Sequence, residues 1–314
     1  MQVLLAQPRG FCAGVTRAID VVEQALKIFG PPVYVLHEIV HNQHVVNDLR
    51  GKGAIFTENL ADVPKGAVTI FSAHGVSDRR VQEARERGLK VIDATCPLVA
   101  KVHVQAQKYE QSGYELIIVG HPGHPEVEGT RGRISGPVHV ISEPEEVAAL
   151  KVRDPEHVAY VTQTTLSVDD TLRVITALKQ RFPGIRGPET KDICYATQNR
   201  QNAVRELAKN ADVIVVVGAR NSSNSNRLRE VGEQAGLRSY LVQDAKELER
   251  AWFKADDRVG VTAGASTPEA LVSEVLATLA AWGHAEVRKM EGPAERVKFL
   301  PPQELSNHKI KARG

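Results

Sequence analysis

The sequence predicts an α/β protein of three small domains with mostly parallel sheets. Short runs of β-branched residues recur along its 314 residues, and a polar loop and an amphipathic stretch follow most of them. Strands that alternate with helices are typical of parallel sheets, whose buried strands are nearly continuous in apolar residues. A chain of this length also exceeds what one hydrophobic core usually serves, so more than one domain is expected.

Taken in order, the apolar runs predict strands and the amphipathic stretches between them predict helices. Residues 1–9 are predicted to contain the first strand, because they lack the basic start and long apolar run of a signal peptide. Further strands are predicted at 67–71, 115–119, 158–162, 212–217 and 258–262. Helices are predicted at 15–28, 42–50, 77–87, 98–111, 167–181, 198–209 and 268–281.

Breaks in this pattern predict the domain boundaries. Residues 182–190 are rich in Pro and Gly, as a linker would be, and residues 95–98 mark another break. The expected α/β domains are 1–97 (with Cys12, and Cys96 at its end), 98–193 and 194–281. The tail, residues 282–314, is expected to pack back on the first domain.

Composition and charge argue against several classes of protein. The 40 basic and 38 acidic side chains leave a net charge of only +2, whereas a nucleic-acid surface needs a clustered basic excess. No stretch approaches the roughly 18 apolar residues of a membrane span. Three cysteines, an odd number, do not suggest a disulfide framework, so we expect a protein of the reducing cytoplasm.

The loops at the predicted ends of strands are rich in His, Ser, Thr and Asn. They lie at 37–42, 72–75, 121–126, 162–165, 221–224 and 264–266, and nearly every one precedes a helix. Ligands collect at the carboxyl ends of parallel strands, and helix N-termini suit phosphate. Helix capping alone would explain any single loop. Six such loops favour an anion site, and no nucleotide-binding glycine motif is present.

Each of the three cysteines lies just before a predicted helix. Thiolates at helix N-termini are stabilised by the unpaired amides there and make good metal ligands. Three explanations stay open: cysteines that only pack in the core, a zinc site completed by a histidine, and an iron–sulfur cluster. The short Cys-x-x-Cys pair of structural zinc sites is absent, and three thiolates would leave one iron of a four-iron cluster open to substrate.

Glu126 closes the loop 120–126 and is a candidate proton donor to a leaving hydroxyl, because it lies beside histidines. The alternative is a carboxylate that only complements a helix dipole, a role that Glu128 would fill equally well. Thr164 or Thr165 could orient or relay a proton through its hydroxyl.

Eight segments of the chain resemble one known family, the 4-hydroxy-3-methylbut-2-enyl diphosphate reductases of the non-mevalonate isoprenoid pathway. They are residues 8–14 (PRGFCAG), 72–76 (SAHGV), 93–98 (DATCPL), 120–129 (GHPGHPEVEG), 162–170 (TQTTLSVDD), 192–197 (DICYAT), 221–227 (NSSNSNR) and 262–266 (TAGAS). The motifs occur in order from residue 1 to about residue 282 and are highly specific together. The tail beyond Glu286 carries no usable motif.

The resemblance implies three α/β domains around a central, oxygen-sensitive 4Fe-4S cluster that Cys12, Cys96 and Cys194 bind. The predicted catalytic residues are Glu126, which would donate the proton, Thr164, which would also bind the substrate through the hydroxyl's hydrogen-bond network, and His124. The diphosphate would be held by His41, His74, His124, Ser222, Ser223, Asn224 and Ser266. The products would be isopentenyl and dimethylallyl diphosphate, and a flavodoxin or ferredoxin would supply two electrons singly.

Two other functions remain as alternatives at this stage. A diphosphate-binding iron–sulfur sensor would share the cysteines but would not need Glu126. A zinc-dependent hydrolase of a phosphorylated substrate would use the same thiols around a single ion.

Overall fold

The structure, a computed structural model, describes residues 1–189, 191–283 and 286–306. Within these ranges it contains twelve strands, nine complete α-helices and a further helical stretch at 303–306, and every strand pairing is parallel. The predicted α/β class is confirmed.

Most helices follow directly on a strand and a loop, as the sequence predicts. The strands are β1 (Gln2–Leu5), β2 (Val33–Leu36), β3 (Ala54–Thr57), β4 (Val68–Phe71), β5 (Lys90–Asp93), β6 (Glu115–Val119), β7 (Val138–Ile141), β8 (Val158–Thr162), β9 (Val213–Val217), β10 (Arg238–Val242), β11 (Arg258–Ala263) and β12 (Glu286–Lys289). The helices are α1 (Ala13–Phe29), α2 (Gln43–Gly51), α3 (Asp78–Glu86), α4 (Pro97–Gln111), α5 (Pro125–Arg131), α6 (Val168–Arg181), α7 (Tyr195–Ala208), α8 (Ser223–Gln234) and α9 (Glu269–Gly283).

Every predicted strand and helix is present with small shifts at its ends. The structure adds β2, β3, β5, β7, β10 and β12, together with α5 and α8. Strands β7 and β10 are mostly half-buried at the edges of their sheets and β12 is exposed throughout, so none of the three carries a continuous apolar run. Helix α5 has only seven residues and α8 begins with a polar run, so neither shows a clear apolar period.

The chain divides into two compact units. The first comprises residues 1–13, 41–45 and 195–298, and the second comprises 14–40, 46–194 and the described residues from 299 onward. The division into three domains at 97 and 193 stays a prediction.

The first unit is built on a five-stranded sheet in the order β10-β9-β11-β1-β12. Strand β1 lies between β11 and β12, with Val3 and Leu4 buried in the cores on its two faces. The N-terminal strand therefore belongs to the same sheet as the C-terminal strands, and not to the sheet that the rest of the predicted domain 1–97 forms.

The second unit contains two separate sheets, with orders β3-β2-β4-β5 and β7-β6-β8. Part of the predicted linker 182–190 extends the smaller sheet, because Arg186 N donates to Val158 O (3.1 Å) and Tyr160 N donates to Arg186 O (2.8 Å). Residue 190 lies outside the described residues. This pairing leads the chain along β8 towards Cys194.

The described part of the tail is ordered against the N-terminal part of the chain. Strand β12 pairs with β1 in the first unit, and Met290 N donates to Leu5 O (2.9 Å). In the second unit Arg17 Nε donates to Leu300 O (2.8 Å), and Leu305 is fully buried. Residues 284, 285 and 307–314 of the predicted tail lie outside the described residues.

No helix in the described ranges is long and apolar enough to cross a membrane.

Candidate active site

The three cysteines all lie at helix N-termini, as the sequence predicts. Cys12 directly precedes α1, Cys96 is the N-cap of α4, and Cys194 directly precedes α7. Each is partly exposed and none is in a disulfide. Cys12 lies in the first unit, whereas Cys96 and Cys194 lie in the second.

The backbone amide of each cysteine is anchored to a loop at the carboxyl end of another strand. Cys12 N donates to Ala265 O (3.2 Å), Cys96 N to Ala73 O (3.0 Å) and Cys194 N to Thr164 O (3.1 Å). These loops follow β11, β4 and β8, and they carry the predicted substrate residues Ser266, His74 and Thr164. Each predicted ligand is therefore linked by one backbone hydrogen bond to a loop predicted to bind substrate.

The donor set suits an iron–sulfur cluster. Soft sulfur ligands are the usual ligands of such clusters, and each of the three cysteines lies at the start of a helix. Among the described residues, no group of three or more His, Cys, Asp or Glu side chains could hold a metal ion.

Glu126 is buried in the first turn of α5, and Thr164 holds both of its carboxyl oxygens. Only 3% of Glu126 is exposed. Thr164 N donates to Oε1 (2.7 Å) and Thr164 Oγ1 donates to Oε2 (2.9 Å). Burial raises the pKa of Glu126 to about 7, although the two bonds from Thr164 oppose the shift. A carboxyl with this pKa can hold and release a proton near neutral pH.

The sequence left two pairs of candidates open, Glu126 or Glu128 and Thr164 or Thr165, and the structure distinguishes the members of each pair. Glu128 is exposed, and its Oε1 accepts a hydrogen bond from Gly123 N (3.3 Å). Thr165 Oγ1 accepts a bond from Gln163 Nε2 (2.8 Å). Of these four side chains, only Glu126 and Thr164 form the buried acid and its hydroxyl partner.

His124 and His74 lie near the acid in the second unit. His124 caps α5, and its Nδ1 accepts a hydrogen bond from Glu126 N (3.2 Å). In a neutral imidazole the proton is then on Nε2, which makes that nitrogen a donor suited to phosphate oxygen. The rings of His74 and His124 are edge to face with centroids 6.1 Å apart, and Ser72 Oγ lies 3.3 Å from His74 Nδ1.

The other predicted phosphate contacts lie together in the first unit. Ser266 Oγ donates to His41 O (2.9 Å), and Asn224 Oδ1 accepts from Ala265 N (2.8 Å). Ser222 is the N-cap of α8, and Ser223 and Asn224 form its first turn. Asn224 is buried, and its Nδ2 finds no hydrogen-bond acceptor among the described residues. A buried donor of this kind at a helix N-terminus suits an anionic oxygen.

Asp192 is a second buried carboxyl close to Glu126, and no role for it was predicted from the sequence. It is 4% exposed, and its Oδ2 accepts a hydrogen bond from Thr162 N (3.2 Å). Burial raises the pKa of Asp192, and its charge also contributes to the raised pKa of Glu126. The only signal in the sequence is its place in the segment 192–197, because nothing there predicts that its side chain turns inward.

The raised pKa of Glu126 predicts how stability depends on pH. Glu126 keeps its proton up to about pH 7 in the folded state but only up to pH 4.5 in the unfolded chain. Its contribution to the free energy of unfolding is therefore complete below pH 4.5 and is lost as the pH rises through 7. Because one pKa unit equals about 1.4 kcal/mol, up to about 3 kcal/mol is at stake. As the pH rises from about 5 to about 8, the urea midpoint of the natural chain should fall relative to that of Glu126→Gln. Parallel curves would contradict the shift.

Gly75 is required for the shape of the loop that carries His74. Its φ is +77°, and a Cβ there would lie 2.4 Å from Cε1 of His103. His103 is buried, and burial lowers its pKa to about 4, so it packs as a neutral ring. Gly75→Ala should therefore cost both backbone strain and overpacking. Gly113→Ala is the matched control, because its φ is +83° but no described atom lies within 4 Å of the added Cβ.

We expect Gly75→Ala to lower the free energy of unfolding by about 1–3 kcal/mol more than Gly113→Ala, the usual cost of overpacking. Urea denaturation of both variants measures the difference. Equal losses would show that His103 yields without cost.

Comparison with known proteins identifies the family. A family model described as "LytB protein" matches residues 3–280. The chain belongs to the LytB family. The relatives include a protein of Pseudomonas putida (strain GB-1) that is 57% identical over 309 residues, which is 97% of this chain and 98% of the relative. One from Idiomarina loihiensis is 56% identical over 313 residues, 99% of this chain and all of the relative. Both are named 4-hydroxy-3-methylbut-2-enyl diphosphate reductase.

A solved structure agrees with this assignment. The reductase from Plasmodium falciparum, described as acting on E-1-hydroxy-2-methyl-but-2-enyl-4-diphosphate, matches with a TM-score of 0.95 and 38% identity. The match covers 99% of this chain and 98% of that chain. The resemblance inferred from the eight segments is confirmed.

Proposed function

We propose that the chain is a 4-hydroxy-3-methylbut-2-enyl diphosphate reductase that forms isopentenyl and dimethylallyl diphosphate. The observation that carries the proposal is the buried Glu126 carboxyl, which Thr164 holds and whose pKa is about 7. The names of relatives at 54–57% identity support the same substrate and reaction.

The reaction requires one proton at the oxygen that leaves. The C–O bond breaks and the hydroxyl departs as water, while two electrons and a second proton go to the carbon skeleton. Glu126 supplies the proton to the oxygen, because its pKa matches neutral pH and its carboxyl is shielded from bulk water. The Thr164 hydroxyl can donate to the carboxylate or accept from the carboxylic acid, so it keeps Glu126 in place in both states.

Imidazole, hydroxyl and amide groups would hold the diphosphate. They belong to His41, His74, His124, Ser222, Ser223, Asn224 and Ser266. The helix N-terminus adds unpaired amides and a favourable dipole. Holding the diphosphate fixes the hydroxyl end of the substrate for reaction.

The proposed cofactor is a 4Fe-4S cluster with Cys12, Cys96 and Cys194 as ligands. When bound, it would supply the electrons and an open iron that polarises the substrate hydroxyl. A flavodoxin or ferredoxin is the proposed electron donor. Three cysteines outside any disulfide suit the reducing cytoplasm, which is the proposed location.

The proposal is tested on protein purified without oxygen. We expect a brown protein that contains iron and acid-labile sulfide and that converts the allylic diphosphate into both products when a reduced donor is supplied. Mass spectrometry of the products measures the conversion. A colourless protein that iron and sulfide cannot reconstitute would overturn the proposal.

A further inference from the structure

A glutamate of the C-terminal segment forms an ion pair with a buried arginine in the first unit. Arg200 of α7 is fully buried, and the side chain of Glu295 is 15% exposed. Glu295 Oε1 lies 3.0 Å from Nη1 of Arg200, and Oε2 lies 3.2 Å from Nη2. The pair is therefore bidentate, which fixes both side chains in orientation as well as in distance.

The rest of the Arg200 guanidinium binds the backbone immediately before Cys12. Its Nε and Nη2 donate to Gly10 O at 3.1 and 2.7 Å, and Nη2 also lies 3.4 Å from Phe11 O. Its Nη1 donates to Ala196 O (2.9 Å) in the first turn of α7. Every N–H of the guanidinium has an acceptor, so the side chain is fully committed to this arrangement.

The Cys12 loop is held on its other side as well. Cys12 N donates to Ala265 O (3.2 Å), and Ala13 N donates to the hydroxyl of Tyr195 (3.3 Å). Gly10 itself has a φ of +65°, a conformation that the loop needs for its turn. Arg200 thus fixes the carbonyls of the two residues before Cys12. The loop after β11 fixes the amide of Cys12, and Tyr195 of α7 fixes the amide of Ala13.

The path of the C-terminal segment brings Glu295 to this point. After β12, a Cβ on Gly292 would lie 2.1 Å from Gln7 O, so the segment runs directly against the end of β1. Asn199 Nδ2 then donates to Glu295 Oε1 (3.0 Å). The match to the family model ends at residue 280, before this segment begins.

We propose that Arg200 and Glu295 are positioning residues that fix the Cys12 loop for cofactor binding, so that residues 286–295 belong to the active site. A buried ion pair by itself is weak evidence of a stabilising role. The argument rests instead on the carbonyls that Arg200 binds, which belong to the two residues before the thiol. The inference rests on the proposed function only in taking Cys12 as a ligand.

The first test uses metal-free protein, so it is independent of whether the chain turns over the allylic diphosphate. Alkylation of each cysteine by iodoacetamide is followed by peptide mass spectrometry in Glu295→Gln and in Glu291→Gln. Glu291 is an exposed carboxylate of the same segment and serves as the matched control. We expect alkylation of Cys12 to be about tenfold faster in Glu295→Gln, because local opening exposes its loop, with Cys96 and Cys194 unchanged.

Two outcomes of the alkylation would overturn the proposal. One is the same Cys12 rate in both variants, and the other is an equal rise at all three cysteines, which would indicate general destabilisation. Glu295→Asp keeps the charge and should give an intermediate rate, so the test holds even where Glu295→Gln folds poorly. After reconstitution with iron and sulfide, Glu295→Gln should lose iron to a chelator faster than Glu291→Gln, and equal rates of loss would also contradict the proposal.

Discussion

Replacing Glu126 with Gln is expected to lower turnover by about 10²–10⁴-fold, the usual contribution of a positioned general acid, while leaving the cofactor and substrate binding intact. Gln has the same shape, and its Oε1 can still accept the hydrogen bond from Thr164 N. Its Nε2 can donate to Thr164 Oγ1, which accepts as readily as it donates. The substitution therefore removes the proton and little else.

Steady-state kinetics and substrate affinity, measured on reconstituted protein, separate these effects. Glu128→Gln is the matched control, because Glu128 lies two residues further along α5 but is exposed, and it should keep near-normal turnover. Normal turnover in Glu126→Gln would remove Glu126 from its role.

The sequence predicts the fold class well because the relevant signal is local. The runs at 115–119, 158–162 and 212–217 are apolar except for Glu115, Thr162 and Asp212, and the strands that they form are buried throughout. Strand partners are not a local property. The run that forms β1 is no more suited to β11 than to β2, and only the folded chain shows that it lies between β11 and β12.

The candidate site is predictable to the level of loops but not of individual contacts. The ends of β4, β8 and β11 could be identified because parallel strands gather polar loops at their carboxyl ends. Glu126 and Glu128 are equivalent in the sequence, since both lie in the first turn of α5, and burial alone separates them. Arg200 gave no signal at all, because an arginine within a polar helix is normally exposed.

Replacing Cys96 with Ser is expected to abolish assembly of a complete cluster without harming the fold. Cys96 is the N-cap of α4, and its side chain makes no capping hydrogen bond. Serine is a preferred N-cap, so the metal-free variant should be as stable as the natural chain or more stable by up to about 1 kcal/mol. A hydroxyl is a poor replacement for the soft thiolate that iron–sulfur clusters require.

Ser77→Ala provides the opposite result as a control. Ser77 is the N-cap of α3 in the same unit, and its side chain accepts a hydrogen bond from Arg80 N (3.4 Å). Its loss should cost about 0.5–2 kcal/mol of stability but leave iron and sulfide at normal levels. Urea denaturation of the metal-free proteins and iron counts after reconstitution measure both quantities. If Cys96→Ser destabilised the chain and kept a full cluster, Cys96 would be a packing residue and not a ligand.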